Sequence, residues 1–337
     1  VARPRLQDVA DRAGVSLATA SRVLNGSSRQ PGPELVDRVR SAAAELGYVV
    51  NAQAQALARS RSGLLGLVVH DISDPYFSSI AAGAQAAARE HGSLVLLAST
   101  GRDPEVEREA VAAFAAHRVD ALVVAGTRWT PEDDEALAGA LSTYEAAGGR
   151  SVIVGQPVGD GRVVRPPNST GSRALAEALL DQGWRRFAVV GGSGLVVTSR
   201  ERTDAFVEAV RAGGGEVVDV VDTEFSRDGG HAAGEEVAAL ARAHTDPPLC
   251  VFAVADVIAI GLIARLRELG LDVPRDVRVA GFDDIPTLRD HVPALTTVRI
   301  PLEEMGRLAV SAAVAEEAPD VVEVGYDVVL RESTADA

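Results

Sequence analysis

The sequence predicts two unlike parts: an all-α unit of three short helices within residues 1–48, then an α/β body of two doubly wound parallel-sheet subdomains. Three observations predict this division. Apolar residues recur at helical spacing in three short runs near the start. From Leu64 onward, apolar strand-like runs alternate with amphipathic helices, and a second series of the same kind begins near Phe187. Charge divides at the same place: residues 1–62 carry +4 and the remainder −19, within a total of −15. A chain of 337 residues has room for two or three such compact units.

The first helix is predicted over residues 6–13, where Leu6, Val9, Ala10 and Ala13 share a side; Gly14 ends it by taking the backbone angles of a tight turn. Ser16 then offers a hydroxyl to cap a second helix from Leu17 to Asn25. On that helix Ala20, Val23 and Leu24 share one face, and Leu17, Ala18, Ser21 and Arg22 share the opposite one. One face packs and the other is free for a contact. A third helix starts at Pro33, carries Val36, Val39, Ala43 and Leu46 on one side, and ends at Gly47.

Two helices joined by a Gly-containing turn in a basic segment form a helix-turn-helix, whose second helix enters the major groove of DNA. The run LQDVADRAGVSLATASRVLN from Leu6 to Asn25, with Glu45 to Tyr48 and Asn51, closely resembles the headpiece of the LacI/GalR family of transcriptional regulators. The resemblance implies double-stranded operator DNA as partner. It makes Leu17, Ala18, Ser21 and Arg22 groove-facing, puts Ser16, Thr19 and Asn25 near phosphates, and counts Asn51 among the DNA-binding positions. An Arg at position 22 suits bidentate pairing with a guanine edge, whereas Leu17 and Ala18 can read only thymine methyls or groove shape.

Residues 49–61 are Ala-rich and lack an apolar face to hold them on a core. The resemblance makes this segment a hinge helix that orders on DNA, with Leu57 as the apolar wedge between base steps in the minor groove. Where the family often has a proline two residues after the tyrosine, this chain has Val50, which removes one source of stiffness.

In the body, strands are expected at 64–69, 94–99, 121–125 and 151–154, with helices at 80–91 and 105–117 and one ending near 147. A second set of strands is expected at 187–190, 217–221, 249–252 and 277–281, again with helices between. Sheets of this kind bind ligands beyond the carboxyl ends of their strands, so a cleft between the two is the expected small-molecule site.

The family resemblance continues through GLVVHDISDPYF (Gly66 to Phe77), RVDALVV (Arg118 to Val124), GFDD (Gly281 to Asp284), PALTTV (Pro293 to Val298) and LRES (Leu330 to Ser333). It implies a body of the periplasmic-binding-protein-like type I, in which the chain crosses three times between subdomains. The first subdomain is then 62–163 with 291–325, and the second is 164–290 with 326–337. It also implies a small-molecule effector, a carbohydrate, held by Tyr76, Phe77, Gln156, Thr198, Arg202, Phe225, Asp256 and Asp283. Arg202 and Asp283 suit hydroxyl groups, and Phe225 suits the apolar face of a sugar or base. Sugar-responsive members usually carry Asn-Asp where this chain has Ala255-Asp256, and Asp-Asn where it has Pro167-Asn168. These departures leave the ligand open between an atypical sugar and a different molecule.

Other functions find little support in the sequence. Gly191-Gly-Ser-Gly194 follows a strand but lacks the third glycine of a dinucleotide fingerprint, the lysine of a P-loop and the last glycine of a nucleophile elbow. The six histidines show no metal-ligand spacing, and the single Cys250 sits in an apolar run where it reads as core. No enzyme, cofactor or metal is expected. The start of the chain shows no leader-like apolar region and no stretch has membrane-spanning length, so a cytoplasmic, nucleoid-associated protein without membrane partner is expected. A homodimer is expected because one three-helix headpiece makes too small a contact for tight specific binding, and no C-terminal heptad segment points to a tetramer. The competing expectation is a sugar-binding receptor that does not touch DNA.

Overall fold

A computed structural model describes residues 4–25, 31–49, 61–192 and 194–335. The chain forms two compact units, Val1–Gly63 and Leu64–Ala337. The expected hinge segment, with Asn51 and Leu57, lies largely outside the described residues, and so does the side chain of Asn25.

The first unit holds α1 (Leu6–Ala13), α2 (Leu17–Asn25) and α3 (Pro33–Leu46), with the bounds their sequence signals predict. Gly14 ends α1 at φ 64° and Gly47 ends α3 at φ 62°, both in the left-handed region that glycine enters without strain. Ser16 accepts a hydrogen bond from the Thr19 backbone N–H at 3.1 Å and so caps α2. Val9, Ala10, Ala13, Ala20, Val23, Val36, Val39, Ala42 and Ala43 form the core where the three helices meet. Arg38 on α3 donates to the carbonyls of Ala13 and Gly14, tying the turn to the third helix.

The second unit begins with β1 (Leu64–Val69), α4 (Pro75–Glu90), β2 (Leu94–Ser99), α5 (Pro104–Ala116), β3 (Ala121–Gly126), α6 (Pro131–Ala146), β4 (Ser151–Gly155) and β5 (Arg162–Arg165). Three of its helices start alike, with Asp74, Asp103 or Thr130 as the capping side chain and a proline next in sequence. The cap satisfies otherwise unpaired amides, and proline loses nothing at a position whose N–H has no helical partner. The second subdomain follows with α7 (Asn168–Asp181), β6 (Arg186–Gly192), α8 (Val197–Ala212), β7 (Glu216–Thr223), α9 (Arg227–Ala232), α10 (Gly234–Ala243), β8 (Cys250–Ala253), α11 (Asp256–Glu268) and β9 (Arg278–Ala280). The chain ends with β10 (Thr297–Arg299), α12 (Leu302–Val314), β11 (Val321–Glu323) and β12 (Asp327–Val329).

The first sheet has the order β11-β5-β4-β3-β1-β2 and the second β7-β6-β8-β9; every pairing in both is parallel. Leu67 is in register with Leu97 of β2 on one side and Val123 of β3 on the other, so β1 stands where the strand order reverses. Central strands such as β3, β4 and β8 are buried throughout, which is why they read as continuous apolar runs.

Four short strands, β5, β10, β11 and β12, were not expected, and they move two boundaries. β5 belongs to the first sheet through Arg165, beyond the expected limit at 163. Residues 296–299, expected in the first subdomain, instead lie against the second sheet, where Thr296 bridges Ala280 and Arg299 bridges Asp283. The cause is side-chain chemistry: Thr296 bonds Thr334 at 2.6 Å and Thr297 donates to Asp256 at 2.7 Å. Only then does α12 pack on α4 and β11 pair with β5, before β12 pairs with β10.

Residues 331–334 are anchored. Arg331 grips Asp284 through both of its terminal nitrogens at 2.8 and 3.0 Å, Ser333 donates to the Val279 carbonyl, and Trp184 donates to that of Thr334.

Candidate functional site

On α2 the two helical faces have opposite fates. Ala20 and Val23 are in the core, whereas Leu17 is 45% exposed and Ala18, Arg22 and Ser16 are open to solvent. Thr19 and Ser21 are half-buried beside them. The structure thus brings Ser16, Leu17, Ala18, Thr19, Ser21 and Arg22 together at one end and along one side of a single helix. An exposed leucine next to an arginine and hydroxyls is poor as core and suitable as a groove-reading surface. Arg12 on α1 is held by Glu45 of α3 at 2.6 Å, which leaves Arg22 as the cation on the exposed α2 face.

The second candidate site is a narrow cavity of about 40 Å³ between the two subdomains. The lining residues end or follow a strand or stand in the first turns of a helix. His70 follows β1, Asp74, Tyr76 and Phe77 open α4, Arg102 follows β2, and Gly126 and Thr127 come from the end of β3. From the other side come Asn168 at the start of α7, Thr198 and Arg202 in the first turns of α8, Phe225 after β7, Ala255 and Val257 around the start of α11, and Asp283 after β9. The cavity therefore occupies the carboxyl ends of strands from both sheets, where parallel sheets present open loops and helix N-termini.

Arg202 organises the second wall. Its Nε donates to Asn168 at 2.9 Å, one terminal nitrogen to the Val254 carbonyl at 2.7 Å and the other to Asp283 Oδ1 at 2.9 Å. Its guanidinium lies 3.8 Å from the centre of the Phe282 ring. Asp283 has φ 115°, a strained value for a non-glycine residue, and burial pushes its carboxyl up to about 6 despite the pull of Arg202. Across the cavity, burial also raises Asp74, whose Oδ2 is 3.8 Å from Arg102. Tyr76 and Phe77 meet edge to face with centroids 4.9 Å apart, and burial raises the Tyr76 phenol above its usual value.

Behind the first wall lies a buried trio. Arg128 holds Glu107 through two 3.0 Å hydrogen bonds, and His70 Nε2 is 3.6 Å from the same carboxylate. Burial opposes ionisation of Glu107, but hydrogen bonds from His70 and Arg128 outweigh it and bring its carboxyl down to about 2. Burial, partly offset by Glu107, lowers the His70 imidazole, which is accordingly neutral.

Hydrogen bonds also cross the cleft. The Val197 and Thr198 backbone amides donate to the Arg128 carbonyl at 3.1 Å and the Thr127 hydroxyl at 3.2 Å, and Gln156 donates to Thr198 and Glu201 at 3.0 and 3.1 Å.

Of the residues expected to touch a ligand, Tyr76, Phe77, Thr198, Arg202, Phe225 and Asp283 line the cavity. Gln156 and Asp256 do not. Gln156 acts as a clasp between subdomains. Asp256 is fully buried with both oxygens spent, on the Thr297 hydroxyl at 2.7 Å and the Ile285 amide at 3.0 Å. His70, Asp74, Arg102, Thr127 and Asn168 line the cavity without having been expected. Asp74 was legible, since an aspartate before Pro75 signals a helix start pointing into the cleft. Arg102, at φ 66° in a tight turn, has no such signal.

Among the described residues, no group of three or more His, Cys, Asp or Glu side chains is placed to hold a metal ion, and no helix is long and apolar enough to cross a membrane.

Residues 5–51 match the family model described as bacterial regulatory proteins, lacI family, and residues 176–334 match that of a periplasmic binding protein-like domain. The HTH-type transcriptional regulator GalS of Salmonella typhimurium is 32% identical over 311 residues, spanning 91% of this chain and 88% of that one. A solved complex of the transcriptional regulator CelR with cellobiose is 30% identical, with a TM-score of 0.70 over 98% of this chain and 100% of that one. The lac repressor dimer bound to operator superposes with a TM-score of 0.82 over 99% of this chain and all of that one; at 24% identity it speaks to the fold alone.

Proposed function

From the premise that the chain belongs to the lacI family of bacterial regulatory proteins, and is a DNA-binding transcription regulator and not an enzyme, we propose that it is a repressor. It binds a palindromic operator as a homodimer, and a carbohydrate effector in the cleft changes its affinity for DNA. In this reading Arg22 and the exposed side of α2 read bases, while the cleft senses the cell's supply of the sugar. The protein acts in the cytoplasm, where its operator is.

One observation carries the proposal: a cavity lined from both sheets, with aromatic side chains beside buried hydrogen-bonding groups and amide-to-oxygen bonds across its rim. A molecule held there touches both subdomains and so discriminates between their relative positions, which is the differential affinity that coupling requires. The dimer is supported by exposed apolar residues on the first subdomain: Leu94 on edge strand β2 is 72% exposed, and Leu97 and Val106 are exposed as well, more than a solitary subunit gains from showing to water.

The test is operator binding by fluorescence anisotropy on DNA upstream of the gene, with and without cellobiose, galactose or ribose. A ligand that binds the cleft changes operator affinity by roughly 5–150-fold, and operator changes ligand affinity by the same factor. Equal DNA affinity with and without a saturating, demonstrably bound sugar would falsify the coupling.

A further inference from the structure

We propose that His70 reads the effector, its Nδ1 accepting a hydrogen bond from a hydroxyl of an uncharged saccharide while its Nε2–H faces Glu107. The inference rests on the cavity being the effector site and adds which kind of sugar it takes and which residue selects it.

His70 lines the cavity yet is 3% exposed. Its ring is fixed on several sides. A Cβ at Gly126 would overlap it, the Phe77 ring centre is 5.7 Å away, and Nε2 is 3.6 Å from Glu107 Oε1. Glu107 is ionised and clamped by Arg128, so it can only accept. A neutral imidazole beside a carboxylate keeps its single proton on the nitrogen facing that carboxylate, here Nε2. Nδ1 is then a bare lone pair, and it is buried without a hydrogen-bond partner. A buried acceptor left in this state is costly, and a ligand hydroxyl is the group that relieves it.

Charge fixes the class of ligand. The cavity wall carries two carboxylates, Asp74 and Asp283, and two guanidiniums, Arg102 and Arg202. Behind it Glu107 is matched by Arg128. Each guanidinium of the wall already stands beside a carboxylate, Arg202 at 2.9 Å and Arg102 at 3.8 Å, so a phosphate or carboxylate on the ligand would have to compete with one in place. The Nδ1 of His70 needs a donor. A molecule rich in hydroxyls and without net charge meets that demand, and Phe225 and Tyr76 in the lining add apolar surface for its carbon skeleton.

The experiment uses the full chain. Melting temperature is measured with cellobiose, galactose and ribose as neutral probes and with glucose 6-phosphate and galacturonate as charged ones, followed by calorimetric Kd values for the sugar that stabilises most. Expected are stabilisation by a neutral probe, about tenfold weaker binding in His70→Phe, and recovery to within about threefold in His70→Asn, whose amide oxygen reaches the place of Nδ1. Nitrogen-15 spectra of the wild-type histidines supply a readout independent of any variant's folding: Nδ1 is unprotonated in the free protein, and its resonance moves upfield when the sugar binds.

An unaltered Kd in His70→Phe, or a stationary Nδ1 resonance at saturation, overturns the role of His70 and leaves the effector reading standing. Stabilisation by the charged probes alone overturns the uncharged class. No response to any neutral probe overturns both the proposal and the carbohydrate reading it rests on.

Discussion

Arg202 donates to three acceptors from three segments: Asn168 at the start of α7, the carbonyl after β8 and Asp283 after β9. A side chain so engaged is a strut of the cavity wall as much as a ligand contact. Arg202→Ala strands the buried Asp283 carboxylate and the Asn168 amide oxygen, so it should cost about 3–5 kcal/mol of stability in urea unfolding as well as the effector response. Adding Asp283→Asn should return part of the stability without the response. A loss below about 1 kcal/mol would mean that Asp283 finds another partner. Glu107 makes the complementary case. Hydrogen bonds from His70 and Arg128 outweigh its burial and hold its carboxyl at about 2, below the ordinary 4.5 of a glutamate, so its contribution is complete above about pH 4.5 and is lost as pH falls toward 2. That contribution is about 3 kcal/mol. Glu107→Gln should therefore be destabilised at pH 7, and the gap to wild type in urea midpoint should close on acidification; a gap constant from pH 7 to 3 would contradict this.

Among the elements, α4 and α12 cross with their backbones nearly touching. A Cβ on Gly83 would strike the Glu303 carbonyl, and one on Gly306 would strike that of Ile80. Neither contact is with a yielding side chain, so Gly306→Ala should destabilise the effector unit by about 1–3 kcal/mol or more through forced separation of the helices. Thermal unfolding checks this; an unchanged transition would show that the crossing opens freely. Neither glycine announces that role in the sequence, because close approach is a property of two helices far apart in the chain. What was legible followed local rules: the glycines ending α1 and α3, the apolar runs that located β1, β2, β3, β4 and β6, and the split faces of α2. The short strands β10, β11 and β12 escaped because three residues of mixed polarity carry no period, and only partners elsewhere make them strands.

For the molecule as a whole, the division at Gly63 separates two cores that share no cluster. Residues 64–337 alone should melt cooperatively and bind a sugar with the Kd of the full chain measured without DNA, and should not shift operator fragments. A substantially weaker Kd would show that the headpiece supports the cleft. The cleft's position was legible from the parallel-sheet pattern, and six of its contacts from family likeness. Its charge balance was not, because pairing among Arg102, Arg128, Asp74 and Glu107 exists only once the ends of β1, β2 and β3 and the start of α5 converge.

The late arrival of α12 and β11 also bears on how the protein is made. The chain begins its first large sheet at Leu64, yet the helix that covers α4 and the strand that closes the β5 edge come at Leu302–Val314 and Val321–Glu323. The second sheet lies wholly within the intervening stretch and is complete at Ala280. On a ribosome extending the chain from its N-terminus, the sheet started first receives its last strand only after the second sheet has all four of its own. Until then it waits with an open sheet edge and an uncovered apolar helix, the state in which a nascent chain most needs a chaperone.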